Sequence, residues 1–146
     1  MRVRLITGIM AWMACSALFA EISEPVYLGI DAKGVRHEWS DARGNAPWIT
    51  DLAYAKTPTY PPFAGERGYT GFGKFRIGID AKTGAASNVE ILQSTGHVTL
   101  DRSVLLALKL WRWKPETWTQ VEVPIAFTGG RVLIFPKYTR TLPVRR

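Results

Sequence analysis

The sequence predicts an α+β domain: a small antiparallel sheet in strand–strand–helix–strand order, one helix packed on one face, and a hairpin appended on the N-terminal side. Three features predict it. "GFGKFRIGID" and "QVEVPIAF" alternate apolar and polar residues with the period of a half-buried strand. "DAKTG", Asp80 to Gly84, separates the first of these from a third alternating run, as a tight turn does. "TLDRSVLLALKLWRW" instead sets Val104, Ala107, Leu108 and Trp111 at helical spacing.

The elements follow in order. Met1 to Arg4 carries two arginines, and "LITGIMAWMACSALFA" then runs uncharged to Ala20, the plan of a secretory signal. Its apolar run is shorter than the roughly 20 residues that span a bilayer. Cleavage after Ala20 is therefore favoured over a retained inner-membrane anchor, and Trp12 stands where a lipobox would hold leucine ahead of Cys15. The exported chain would be periplasmic and free of cysteine, so that packing alone must stabilise it.

Residues 21–56 form an N-terminal extension. Val26, Leu28 and Ile30 alternate before "DAKG", and Val35, His37 and Trp39 after it, which reads as a hairpin with a glycine-bearing turn. "DARGNAP" then supplies loop chemistry. The domain proper spans 57–128. Phe75, Ile77 and Ile79 mark the inner face of its first strand, and Val89 and Ile91 that of its second. Thr99 is placed to cap the helix, Asp101 sits in its first turn, and Pro115 ends it. Val121, Val123, Ile125 and Phe127 give the last strand its buried face.

Several functions lack the residues they need. The two histidines, His37 and His97, have no ligand partner at helical or turn spacing, so neither metal nor cofactor is expected. Ser94, His97 and Asp101 are the residue types of a hydrolase, but catalysis would require Ser94 and His97 in hydrogen-bond contact, and no G-x-S-x-G elbow is present. The bland reading is a turn followed by a helix start. The formal charge of +7 is concentrated toward the C-terminal tail, where Arg131, Lys137, Arg140, Arg145 and Arg146 face no acid. With Tyr138 as the one exposed aromatic candidate among these cations, the tail suits an anionic envelope surface better than nucleic acid.

"YP" at Tyr60 and Pro61, the glycine-led strand, "IDAKTG", "VEILQSTG", "LD", "WRWKP" and "VEVPIAF" occur in an order that resembles the C-terminal domain of the TonB family of periplasmic energy transducers, from Thr57 to about Thr128. The resemblance implies a non-catalytic module that takes an extended peptide, such as a segment of an outer-membrane receptor, as an added strand along its last strand. The partner-facing positions would be Glu122, Pro124, Ala126 and Thr128. Arg112 and Trp113 join them if the helix runs on far enough to expose the Trp113 ring; if the chain leaves the helix earlier, Trp113 is buried with Trp111. Transducers of this family also carry an anchor histidine and a long Pro-rich spacer. Here the anchor-like run has no histidine, and Glu21 to Lys56 holds only Pro25 and Pro47. Those thirty-six residues reach at most about 130 Å when fully extended.

Residues 129–146 add a last strand and the basic tail. Gly129 and Gly130 suit a two-residue turn that sets Thr128 against Arg131, Phe127 against Val132, Ala126 against Leu133 and Ile125 against Ile134. That strand would lie on the edge otherwise open to a partner peptide or to a second copy of the chain.

Overall fold

The computed structural model describes residues 26–40 and 46–134. The expected signal with its Cys15, most of the "DARGNAP" loop, Phe135 and the basic tail lie outside the described residues. The elements are β1 (Val26–Asp31), β2 (Arg36–Ser40), β3 (Leu52–Tyr54), α1 (Pro62–Glu66), β4 (Gly71–Ile79), β5 (Ala86–Gln93), α2 (Val98–Leu108), β6 (Arg112–Trp113), β7 (Trp118–Thr128) and β8 (Arg131–Ile134). The fold is α+β with α2 as its main helix. A six-stranded antiparallel sheet runs β2-β1-β7-β4-β5, and β8 also pairs with β7. Strands β3 and β6 form a separate two-stranded sheet.

Alternation builds the core. Phe75, Ile77 and Ile79 from β4 and Val121, Val123, Ile125 and Phe127 from β7 are all buried, and Leu100, Val104, Ala107 and Leu108 of α2 close over them. In β5, by contrast, Val89 only packs against the core and Ile91 is exposed. This strand lies at the end of the sheet.

Both hairpin turns are built alike. Asp31 Oδ1 accepts from the Lys33 and Val35 amides, and Asp80 Oδ1 from the Lys82 amide, each at 2.9 Å. The recurring "DAK" thus supplies the same carboxylate-to-backbone turn twice.

The N-terminal hairpin is attached edge-on, continuing the sheet through β1 and β7, with Gly29 opposite Val121. The apolar alternation of Val26, Leu28 and Ile30 does not mark the buried face of its first strand: Tyr27 and Gly29 are buried, and Val26 is exposed. Gly29 explains this phase, because a Cβ there would come within 2.9 Å of the Trp118 ring. The absent side chain lets Trp118 lie against the strand, a close approach only glycine permits. Trp39, paired with Tyr27, is buried as the alternation of β2 requires.

Helix α2 differs from expectation at both ends. Its N-cap is His97, with no side-chain cap, and Thr99 lies inside the first turn. Asp101 ties that turn down instead, accepting from Ser94 Oγ (2.5 Å), Thr95 Oγ1 (2.7 Å) and the Thr95 amide (2.9 Å). The helix stops at Leu108, well before Pro115. Arg112 and Trp113 are claimed by β6, which pairs with Leu52 and Tyr54, while the Trp113 amide donates to the Gly84 carbonyl at 2.8 Å. Long-range backbone pairing overrides the local helical pattern.

Burial pushes the Asp101 carboxyl upward, but the hydrogen bonds from Ser94 and Thr95 outweigh it and hold the group below its ordinary value. A depressed folded pKa gives stabilisation that is present above the ordinary aspartate pKa and lost as pH falls through the folded one. Asp101→Asn is expected to cost about 1–3 kcal/mol at neutral pH. The gap from wild type in urea unfolding should narrow in acid; a gap independent of pH would show that the carboxylate's charge contributes nothing.

Candidate functional site

The outer edge of β7 is where the sequence places partner binding, and in this structure two strands of the chain already lie along it. On its inner side β7 pairs with β4 from Gly71↔Phe127 to Gly78↔Gln120. On its outer side β1 covers one end, through Gly29↔Val121, Ile30↔Gln120 and Asp31↔Trp118. Strand β8 covers the other, through Ile125↔Ile134, Ala126↔Leu133, Phe127↔Val132 and Thr128↔Arg131, the expected register. Gly129 and Gly130 make the turn with φ of 54° and 76°, the left-handed pair that a type I′ hairpin demands. Between the two covers, Glu122, Val123 and Pro124 have no ladder partner on the outer side among the described residues.

Glu122 fills the interval with its side chain. In a continued ladder the Leu28 amide would meet the Glu122 backbone; it donates instead to Glu122 Oε2 at 2.9 Å. The same oxygen lies 3.1 Å from Lys74 Nζ, and Oε1 lies 3.3 Å from an Arg76 Nη. Arg76 stands directly across from Glu122 on β4, which is why the pair meets. The Glu122 side chain is only 6% exposed. Burying a carboxylate to this extent is costly without such partners. Val26, Tyr27, Leu28, Lys74 and Arg76 surround it in a cleft beside the edge.

The remaining expected partner contacts divide. Pro124 is buried and Ala126 half-buried, whereas Thr128 is exposed at the turn. Arg112 is exposed, but its guanidinium folds back onto the Trp111 and Lys109 carbonyls, at 2.8 and 3.3 Å. Trp113 is 1% exposed, so it offers no ring surface to a partner. It packs against Trp48 and Trp111 at centroid distances of 6.0 and 5.9 Å, because the chain leaves the helix at Leu108 and turns both tryptophans inward. The tryptophan pair of "WRW" is therefore core.

Ser94, His97 and Asp101 do not form a relay. Ser94 donates directly to Asp101, while the His97 ring stacks on Tyr69 at 4.2 Å. The arrangement anchors a helix start. His37 likewise serves its own hairpin, with Nε2 3.0 Å from Asp31 Oδ2.

Sequence reasoning missed the role of β1 on the edge and the convergence of Lys74, Arg76 and the Leu28 amide on Glu122. One signal was legible: Glu122 is the single charge in "VEVPIAF", and Lys74 and Arg76 alternate on the strand that pairs with it.

The fold is an α+β module in which an antiparallel sheet is covered by one main helix and the last long strand carries the edge in question. The family model described as "Gram-negative bacterial TonB protein C-terminal" matches residues 56–128, and the chain belongs to that family. It is 33% identical over 76 residues to Protein TonB of Vibrio cholerae serotype O1, covering 48% of this chain and 31% of that protein. No solved structure matches significantly.

Proposed function

We propose that this chain is a periplasmic TonB-like module of envelope transport, and that it takes an extended segment of a protein partner, such as an outer-membrane receptor, along β7 once β8 has left. The observation that supports this reading most is the nature of the cover. Strand β8 is four residues long and follows a two-glycine turn. A strand held by so few ladder bonds can be replaced by a peptide that makes the same main-chain bonds. Thr128 and Ala126 would present their backbone groups to the incoming strand, and the missing N–H of Pro124 would limit how far it extends. Glu122 would act from the side, through its hold on β1.

The pairing of β8 and β1 with the same edge supports a second reading, a structural or assembly protein of the envelope whose edge stays closed. One experiment separates the two. A synthetic peptide of residues 131–136 is offered to the intact chain and to a chain ending at Gly130, with circular dichroism verifying that the shortened domain is folded. The open reading expects saturable binding to the shortened chain, and binding at least tenfold weaker to the intact one. The shortened chain should also self-associate through the bared edge. Failure of the folded, shortened chain to bind the peptide or to associate would favour the closed reading.

A further inference from the structure

On the solvent side of α2, remote in chemistry from the β7 edge, the surface forms an apolar groove of about 480 Å³. One wall is α2, where Thr99, Arg102, Ser103 and Leu106 recur at helical spacing with Ala107 at the base, continued by Leu110 in the turn after the helix. The other wall is the extended segment that ends in Pro61 and Pro62. Two contacts hold that segment to the helix: the Ser103 hydroxyl donates to the Thr59 carbonyl, and Trp111 Nε1 to the Lys56 carbonyl at 2.8 Å. The two walls are thus tied together by the chain's own hydrogen bonds. Leu106 and Leu110, 59% and 49% exposed, extend its apolar surface in one continuous patch, the kind of surface that marks a binding groove.

Charge narrows the choice of occupant. The lining contains two cations, Lys56 and Arg102, and no acid. Among the described residues neither side chain is in an ion pair. A second copy docked through this same patch would set cation against cation, which is unfavourable. Length bears on the choice too. The helical wall from Thr99 to Leu108 runs about 14 Å, a length that one extended hydrocarbon chain can follow. A single hydrocarbon chain fits. Its apolar length would displace water from Leu106, Ala107, Leu110 and the prolines, and its head group would reach Arg102 or Lys56.

We propose that this groove binds an amphipathic anion, a single acyl chain bearing a carboxylate or phosphate head group. The chemistry is shared by free fatty acids and by single-chain lipid anions. Titrating the full chain with sodium dodecanoate and with dodecyl phosphate, below their aggregation concentrations, and following amide resonances tests the inference and separates the two head groups. A twelve-carbon chain is roughly 15 Å long when extended, judged from C–C bonds of about 1.5 Å. Saturable shifts at Thr99, Ser103 and Leu106 are expected, with acetate giving none.

Leu106→Asp, a change at an exposed position, should weaken dodecanoate at least tenfold. The pair Lys56→Gln and Arg102→Gln should abolish the preference for dodecanoate over the uncharged dodecyl maltoside while leaving the latter's binding unchanged. Absence of saturable shifts in the folded wild-type chain would overturn the proposal, as would equal affinity for the neutral amphiphile. Association of the chain that Leu106→Asp abolishes, without dodecanoate binding, would also overturn it and give the groove to a second copy.

Discussion

Trp48→Ala is expected to destabilise the folded chain by about 3–5 kcal/mol, the range for truncating a buried large aromatic. Trp48 is 1% exposed and packs against two further core tryptophans, with ring centroids 6.3 Å from Trp111 and 6.0 Å from Trp113. It lies outside the segment that matches the family, so its weight measures how far the N-terminal extension belongs to the domain's core. The surrounding bonds point the same way. The Lys114 amide donates to the Asp51 carbonyl at 2.8 Å, Trp118 Nε1 to Asp51 Oδ2 at 2.9 Å, and Leu52 pairs with Trp113. A cavity at Trp48 therefore cannot be relieved by moving one loop. Urea unfolding followed by far-UV circular dichroism reads the effect without relying on tryptophan emission. A loss near the ~0.5 kcal/mol typical of surface sites would show that residues 46–54 are only laid against the domain.

The part of the fold legible in the sequence is the part written as local period. The sequence alternates through Phe75–Ile79 in β4 and Val121–Phe127 in β7, and the apolar residues of those runs are buried as expected. The stripe of α2 was legible for the same reason, and β8 because two adjacent glycines fix the turn and hence the register. What could not be read depends on contacts between distant segments. The end of α2 is set by β3, whose residues lie some sixty positions earlier and carry no signal of that pairing. The inward phase of β1 is set by Trp118, for which Gly29 makes room. In isolation the pattern of Val26, Leu28 and Ile30 favours the other face. The candidate edge was legible as a strand, but its occupancy by β1 was not, because a two-stranded hairpin gives no indication of the sheet it will join.

Glu122 is where that hidden pairing and the candidate site meet, and its replacement carries the other large effect. Removing one member of a buried ionic group costs about 3–5 kcal/mol, mainly because its former partners are left unmatched. Here the side chains of Lys74 and Arg76 are 24% and 35% exposed and can turn toward water, which places Glu122→Ala near the low end, at about 3 kcal/mol. The Leu28 amide cannot turn away without moving β1. Glu122→Gln should separate the contributions, because an amide oxygen can still accept from Leu28 while the attraction to both cations is lost. The expected order of stability is wild type, then Gln, then Ala. Hydrogen exchange at the Leu28 amide should accelerate strongly in the alanine variant and little in the glutamine variant. If the carboxylate holds β1 against β7, exchange at Ile30, the next amide paired across that edge, should rise together with Leu28 in Glu122→Ala. Unchanged exchange at both amides would mean that β1 is held by its other contacts alone, and that the edge at Glu122 is closed independently of its charge.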